Sequence, residues 1–487
     1  MKLTSVKIKA TIIEDNTGIK SLIPILLTEQ GELSSVTDYL LKLEVDDVSN
    51  SVMNEFIRSV SLLLDYMEAN RDQFSDPKVL FQTFAKRLYT GTIGEDGLDS
   101  SGLYWVPSST SNVNKYIYRL TAFTNWLAEK QGTKPMNPLC DATPHEQRLN
   151  YAAWYRRNQN NFLGHIKDKT VNKTTRKART IKGRTPLTKA EGDAVAFPEE
   201  LWETFFIEGI GGAKDPRVAL RDKLILLLMH GGGLRESEAI LPWVTDVFED
   251  PYDPEKTIVR IYNEVDGKAP YDWRSRTGTT TRKAYLKEEF VRIPRIRMKG
   301  TQHVGNKNRV ADHRDGYIQV QWFPSEYGKV FMLLWNNYQK YRAYTDCNHP
   351  YAFISFHHSN LGEPYTLNAF HQNYATGLKR IGLKPNKAEG LNPHGHRHNY
   401  GRRLDRSGLN PLVIRRCMHH KSLESQLPYT SKGLKEISDE LSKATILLAN
   451  TDSIVKPLEW ENLVEHGFED IDPQGLFTGK HPRLRHK

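Results

Sequence analysis

Cysteine is scarce: Cys140, Cys347 and Cys417 are the three found among 487 residues. An odd number, spaced far apart, excludes a disulfide framework and a C-x-x-C zinc module and points to a reducing interior. Long apolar runs are missing as well; Leu224 to Met229 is far too short to span a bilayer. The start, Met1-Lys2-Leu3-Thr4, lacks the apolar stretch of a signal peptide. These absences predict a soluble, cytoplasmic chain with no membrane partner. No G-x-S-x-G elbow occurs, so His230-Gly231-Gly232-Gly233, which imitates a lipase oxyanion loop, has no serine to serve. Gly209-Ile210-Gly211-Gly212 lacks the third glycine of a dinucleotide loop, and there is no Walker A box. No nucleotide cofactor is implied. His394 and His398 stand four apart, as on a zinc-binding helix, but no glutamate follows the first histidine and no third ligand is evident. No metal is expected. Internal repeats and low-complexity tracts are also missing.

What is present is a foldable and basic chain. Hydrophobic residues make up 38% and aromatics 10%, enough for real cores in two to four domains. The net charge of +10 favours polyanionic partners through steering and counterion release. Alternation in places, as in Val6-Lys7-Ile8-Lys9-Ala10-Thr11-Ile12, predicts one or two short strands within residues 1–45. Val52, Phe56, Val60, Leu63 and Met67 recur at helical spacing, as do Leu80, Phe81, Phe84 and Leu88, then Val113, Tyr116, Ile117, Leu120 and Trp126. A small helical domain is expected over 46–163. Residues 1–45 are either an arm-like module or a cap on that helical domain.

Between 164 and 196 apolar residues thin out. From Lys167 to Lys189, the basic residues Lys167, Lys169, Lys173, Arg176, Lys177, Arg179, Lys182, Arg184 and Lys189 face one acid, Asp168. Such a composition reads as an exposed tether, either merely solvated or lying along a phosphate backbone. A second domain is expected over 197–450, opening at Phe197-Pro198-Glu199-Glu200-Leu201-Trp202. Within it Leu220, Leu224, Leu227 and Leu228 mark a helix, Thr257–Tyr262 and Tyr317–Trp322 mark strands, and Lys329–Tyr341 marks a further helix. Leu434, Ile437, Leu441, Ala444 and Leu448 give a late amphipathic helix, packing either in cis or on a neighbouring protomer. Residues 451–487 form a tail.

The chemistry sits in separated boxes: Gly233-Leu234-Arg235-Glu236-Ser237-Glu238, Pro393-His394-Gly395-His396-Arg397-His398, and Met418-His419-His420 with Tyr429 nine positions beyond His420. Two guanidiniums suit the non-bridging oxygens of a phosphodiester, histidines move protons, and a phenol can attack phosphorus. In their order and spacing these boxes resemble the tyrosine recombinase, or phage integrase, family over about 197–450. The family's G-L-R-x-x-E and H-x-x-R boxes are matched. Met418-His419-His420 stands where Leu-Gly-His is usual, Pro428 immediately precedes the tyrosine, and His396 replaces a usually apolar residue.

The resemblance implies a fold that is mainly α with a small β-sheet: a helical core-binding domain joined to a mixed α/β catalytic domain. It implies Arg235 and Arg397 as the phosphate clamp, His394 as the proton carrier for the phenol, His420 as donor to a phosphate oxygen and Tyr429 as nucleophile. A hairpin lysine would protonate the leaving 5′-oxygen. Lys307 is the favoured candidate and Lys299 the alternative. Residues 263–316 exceed a minimal hairpin and suggest an insertion. Glu238 reads as a brace, and His398 and His419 as supporting residues. The implied partner is double-stranded DNA, held by a homotetramer on two sites, with accessory DNA-bending or element-encoded proteins possible. The expected activity is site-specific cleavage and rejoining through a 3′-phosphotyrosyl intermediate, for integration or excision of a mobile element. A type IB topoisomerase-like enzyme and a non-catalytic DNA-binding protein of the same fold are the alternatives.

Overall fold

The structure is a computed structural model. It describes residues 4–13, 16, 18, 20–46, 48–158, 175–186, 195–251, 253–298, 300–305 and 311–420. The chain divides into two compact units, Met1–Thr188 and Lys189–Lys487. Both are mainly helical with small antiparallel sheets, and no helix among the described residues is long and apolar enough to cross a membrane.

In the first unit, strands β1 (Val6–Ile13), β2 (Lys20–Thr28) and β3 (Gly31–Glu32) form one sheet, in register Ile8↔Ile25 and Ala10↔Ile23. Helices α1 (Ser34–Val45), α2 (Asn50–Ala69), α3 (Pro77–Thr90) and α4 (Thr110–Gln131) come next. Their boundaries are chemically marked. The Asp76 carboxylate accepts from the Lys78 N–H with Pro77 in the first turn, and the Ser109 hydroxyl accepts from the Asn112 N–H. Phe56, Val60 and Leu63 point inward as their spacing predicts, while Met67 is exposed. Ile23, Leu26, Val36 and Leu40 share one core with Phe56, Phe84 and Leu120, so the strands and first helix are part of the helical unit and not a separate arm.

The tether reading is corrected over 175–186. Strand β5 (Lys177–Arg179) pairs with β4 (Leu139–Asp141), and α5 (Pro144–Asn158) stands between them in sequence. Ile181 is buried in the unit's core, and its backbone exchanges hydrogen bonds with the Asn137 side chain at 2.8 and 2.9 Å. Average composition misled because one apolar anchor is enough when acids lie elsewhere in the fold. Lys177 pairs with Asp141 at 2.7 Å, Lys182 pairs with Glu146, Arg179 donates to Asn137 O at 2.8 Å, and Arg184 lies over the Tyr89 ring at 4.1 Å. Arg176 is exposed. Lys167, Lys169 and Lys173 lie outside the described residues.

The second unit is built around α6 (Pro216–His230), in which Leu224 through His230 are all buried. Helical turns from Glu199 to Ile210 precede it. The four-residue α7 (Glu236–Ala239) comes after it, then β6 (Val247–Asp250) and β7 (Asp253–Tyr262). β7 also pairs with β8 (Tyr317–Gln319), in register Ile261↔Ile318. The segment between β7 and β8 holds a helix, α8 (Arg282–Phe290). It is fastened to the sheet by a buried Arg282–Asp246 pair, with the guanidinium over Trp243 at 3.9 Å and Tyr262 at 4.0 Å. Helices α9 (Glu326–Ala343), α10 (Leu367–Arg380), α11 (Pro393–Arg406) and α12 (Pro411–Cys417) complete the described part. The expected helix from Leu434 to Leu448 lies outside it.

Candidate active site

Arg235 reaches its place through glycines. The chain leaves α6 through Gly231-Gly232-Gly233, and Gly233 is left-handed at φ 68° with a hypothetical Cβ only 2.3 Å from the Tyr400 ring. Glycine meets both demands at once. Arg235 then caps α7, and the Glu238 carboxylate accepts from its backbone N–H at 2.9 Å and from its Nη1 at 2.6 Å.

Arg397 enters from α11. Asn392 caps that helix by accepting from the Gly395 N–H at 3.1 Å, and Pro393 occupies the first turn. Gly395 allows the close seam beside it: a Cβ there would stand 2.1 Å from the Gly390 carbonyl oxygen. The Arg397 side chain is fully buried; it donates to the carbonyls of Gly233 and Met418, and its Nη1 lies 3.9 Å from Glu238 Oε2. One carboxylate therefore braces both guanidiniums. Burial works against ionising Glu238, but Arg397, Arg235 and the Arg235 N–H outweigh it and hold the carboxyl below its ordinary range.

The histidines complete the cluster. His394 is exposed at the start of α11, and its ring meets that of His398 edge-on at 4.3 Å. His420 is buried just past α12, with Arg397, Arg235 and His419 as its electrostatic neighbours. Burial first, and then those guanidiniums, push its imidazole down to about 3. Burial does the same to His398, with repulsion from His394 and Arg397 added, again to about 3. Thus Arg235, Arg397 and His420 come together, with Arg235 at 26% side-chain exposure, and exposed His394 adjoins them through His398. Tyr429, Lys299 and Lys307 lie outside the described residues. Among those residues no three His, Cys, Asp or Glu side chains gather as a metal site.

Two departures from the family pattern have structural explanations. His419, in the usual glycine position, adopts φ 52°. Histidine is among the non-glycine residues enriched in the left-handed region, at a cost of about 1–2 kcal/mol. Its Nδ1 lies 3.4 Å from an Asp312 carboxylate oxygen. His396 is fully buried, stacked on Phe197 at 4.2 Å, and is part of a polar relay. Arg403, which only donates, meets His230 Nε2 at 2.6 Å. His230 must then carry its proton on Nδ1 and donate to His396 Nδ1 at 3.1 Å, and His396 Nε2–H donates to Tyr374 Oη at 3.0 Å. This relay ties α11 to α6 and α10 behind Arg397. Sequence reasoning missed it and Asp312, because the partners are far apart in sequence; the apolar-to-histidine change at His396 was the available signal.

No family model matches the chain. It is 21% identical over 224 residues to transposase A from transposon Tn554 of Staphylococcus aureus, a stretch covering 46% of this chain and 47% of that protein. The chain spans about half the length of the curated relatives it matches. Among solved structures it is similar to the XerH site-specific recombinase bound to a palindromic difH substrate, with 14% identity, a TM-score of 0.47 and 86% of each chain covered. It is also similar to the Tn1549 transposon integrase in complex with transposon right end DNA, at 14% identity and a TM-score of 0.42, covering 84% of this chain and 99% of that one.

Proposed function

We propose that this chain is a site-specific DNA recombinase of a mobile element, cutting and rejoining duplex DNA through a covalent tyrosine intermediate. The observation that carries the reading is the convergence of Arg235 and Arg397 on Glu238, with His420 beside both guanidiniums. A phosphodiester passing through a pentacoordinate transition state gains negative charge on its non-bridging oxygens, and preorganised guanidiniums stabilise that charge. Arg235 offers its outer donors at the accessible side, while the carbonyls of Gly233 and Met418 fix the plane of Arg397. His420, neutral where it sits, donates an N–H to a phosphate oxygen. The similarity to the Tn554 transposase supports the mobile-element part of the reading.

The step balances without an outside energy source. Tyr429 Oη bonds to phosphorus and its proton passes to His394. The bond from phosphorus to the 5′-oxygen breaks, and Lys307, or Lys299, protonates the departing 5′-oxygen to leave a free 5′-hydroxyl. The phosphotyrosyl bond retains the free energy of the broken diester, so an incoming 5′-hydroxyl reverses the sequence on the same or a second strand. Four protomers on two duplexes, with accessory proteins, would make that exchange reciprocal.

A nicked suicide duplex carrying the element's end tests the reading. The wild-type chain should become covalently attached at the 3′ side, and Tyr429→Phe should not. An adduct that persists in Tyr429→Phe removes Tyr429 as nucleophile. Relaxation of supercoiled plasmid by a monomer without site preference would favour the topoisomerase-like alternative.

A further inference from the structure

His419 fills a position whose backbone favours glycine, and the ring it adds there is buried against a carboxylate. We propose that His419 and Asp312 form a positioning strap, joining the entry of β8 to the turn after α12 and fixing Met418 and His420 against Arg397. The proposal rests on the strand-transfer reading of the site.

Both ends of the strap are anchored. The Asp312 N–H donates to the Tyr317 carbonyl at 2.8 Å, and its Oδ2 accepts from the Gln319 N–H at 3.2 Å, so the carboxylate is built into the β8 end of the sheet. His419 donates its own N–H to the Arg416 carbonyl at 3.0 Å, and its ring Nδ1 lies 3.4 Å from Asp312 Oδ2. Burial opposes charge on Asp312, but His419, the Gln319 N–H and Arg416 keep the carboxyl below its ordinary range, so the strap presents an anion.

The residues on either side of His419 both serve the site. The Met418 carbonyl accepts from Arg397 Nη2, and His420 has Arg397 and Arg235 as electrostatic neighbours. A rotation of this turn therefore moves the acceptor that orients one guanidinium and the imidazole beside both. In sequence Asp312 stands five positions after Lys307. If His419 merely terminated a helix, glycine would serve at least as well, because it takes the left-handed backbone without steric cost.

The test uses the full chain with four variants: His419→Gly, Asp312→Ala, both together, and His419→Asn. Single-turnover adduct formation on the nicked duplex, DNA affinity by fluorescence anisotropy and thermal melting are each measured. His419→Gly should slow adduct formation roughly tenfold or more, as small misplacements of reacting groups do, with DNA affinity and melting near wild type. The double variant should be no slower than His419→Gly, since the two residues act as one unit. His419→Asn should recover most of the rate, because asparagine tolerates the left-handed backbone and can donate to the carboxylate. Wild-type rates in His419→Gly, or additive losses in the double variant, overturn the proposal. The NMR signal of the His420 ring gives a readout independent of cleavage. It must move in His419→Gly, and an unchanged signal overturns the strap even where cleavage fails. A wild-type chain that forms no adduct, with the His420 signal still displaced by His419→Gly, refutes the strand-transfer reading and leaves the strap standing.

Discussion

Replacing Glu238 with glutamine keeps its shape and removes the charge between Arg235 and Arg397. The carboxylate is fully buried and accepts from Arg235 through both side chain and backbone. Leaving Arg397 buried without this anion should cost about 3–5 kcal/mol of stability, read as a shift in urea midpoint, and should depress adduct formation further. A variant as stable as wild type contradicts the brace. The buried histidines add a pH dependence of one sign. Burial first holds His230 at about 4 and His398 and His420 at about 3, while an unfolded chain protonates them near 6.5. Folded values below the unfolded one mean that the neutral rings contribute stability above roughly pH 6.5. That contribution is lost as pH falls from there toward 4 and 3. Glu238, also lowered, acts in the same direction at more acid pH. Denaturation series from about pH 7.5 to pH 5 should show falling stability, and a flat profile would count against these burials. Arg235, His394, Arg397 and His420 could be named as candidates from the sequence because the chemistry they are proposed for restricts both residue type and spacing. Asp312 was not readable, since a carboxylate that holds an imidazole carries no motif of its own.

At the scale of elements, the contacts that position the site are backbone-close, and glycine records them. Gly233→Ala would drive a methyl group into the Tyr400 ring at 2.3 Å in a left-handed backbone, between α6 and α11. Overpacking of this kind costs about 1–3 kcal/mol, and the displaced carbonyl is one that Arg397 uses. Melting and adduct formation should both fall. In the first unit, Ile181→Ala should destabilise by about 2–5 kcal/mol, because Ile181 anchors the strand segment to the helical core. Melting of the full chain monitored by a tryptophan probe there would show no change if 175–186 were a loose tether. Helical periodicity revealed the helices, since each buries one face. The pairing of β4 with β5 was hidden because each strand has three residues, too short for alternation to register.

The whole molecule carries a net charge of +10, yet its basic residues are not equivalent. Lys177 and Lys182 have acidic partners within the first unit, and Arg179 has amide and carbonyl acceptors. Using them on phosphate means exchanging partners, and part of the gain is lost in the exchange. Lys167, Lys169 and Lys173 share their stretch of sequence with Asp168 as the sole acid. Under the proposed function these two sets should separate in a salt titration of duplex binding. Each phosphate neutralised contributes a slope of about −0.9 in log K against log salt concentration. Replacing Lys167, Lys169 and Lys173 together by alanine should make that slope shallower by about two to three. Replacing Lys177, Arg179 and Lys182 should change it less, and should lower the melting temperature instead, because it strips partners from Asp141, Glu146 and the Asn137 carbonyl. Fluorescence anisotropy between about 50 and 200 mM salt resolves the difference. Equal changes in slope for both sets would mean that the intramolecular partners release their cations without penalty. No change for the first set would mean that Lys167, Lys169 and Lys173 stay off the phosphate backbone, and that other basic residues supply the charge.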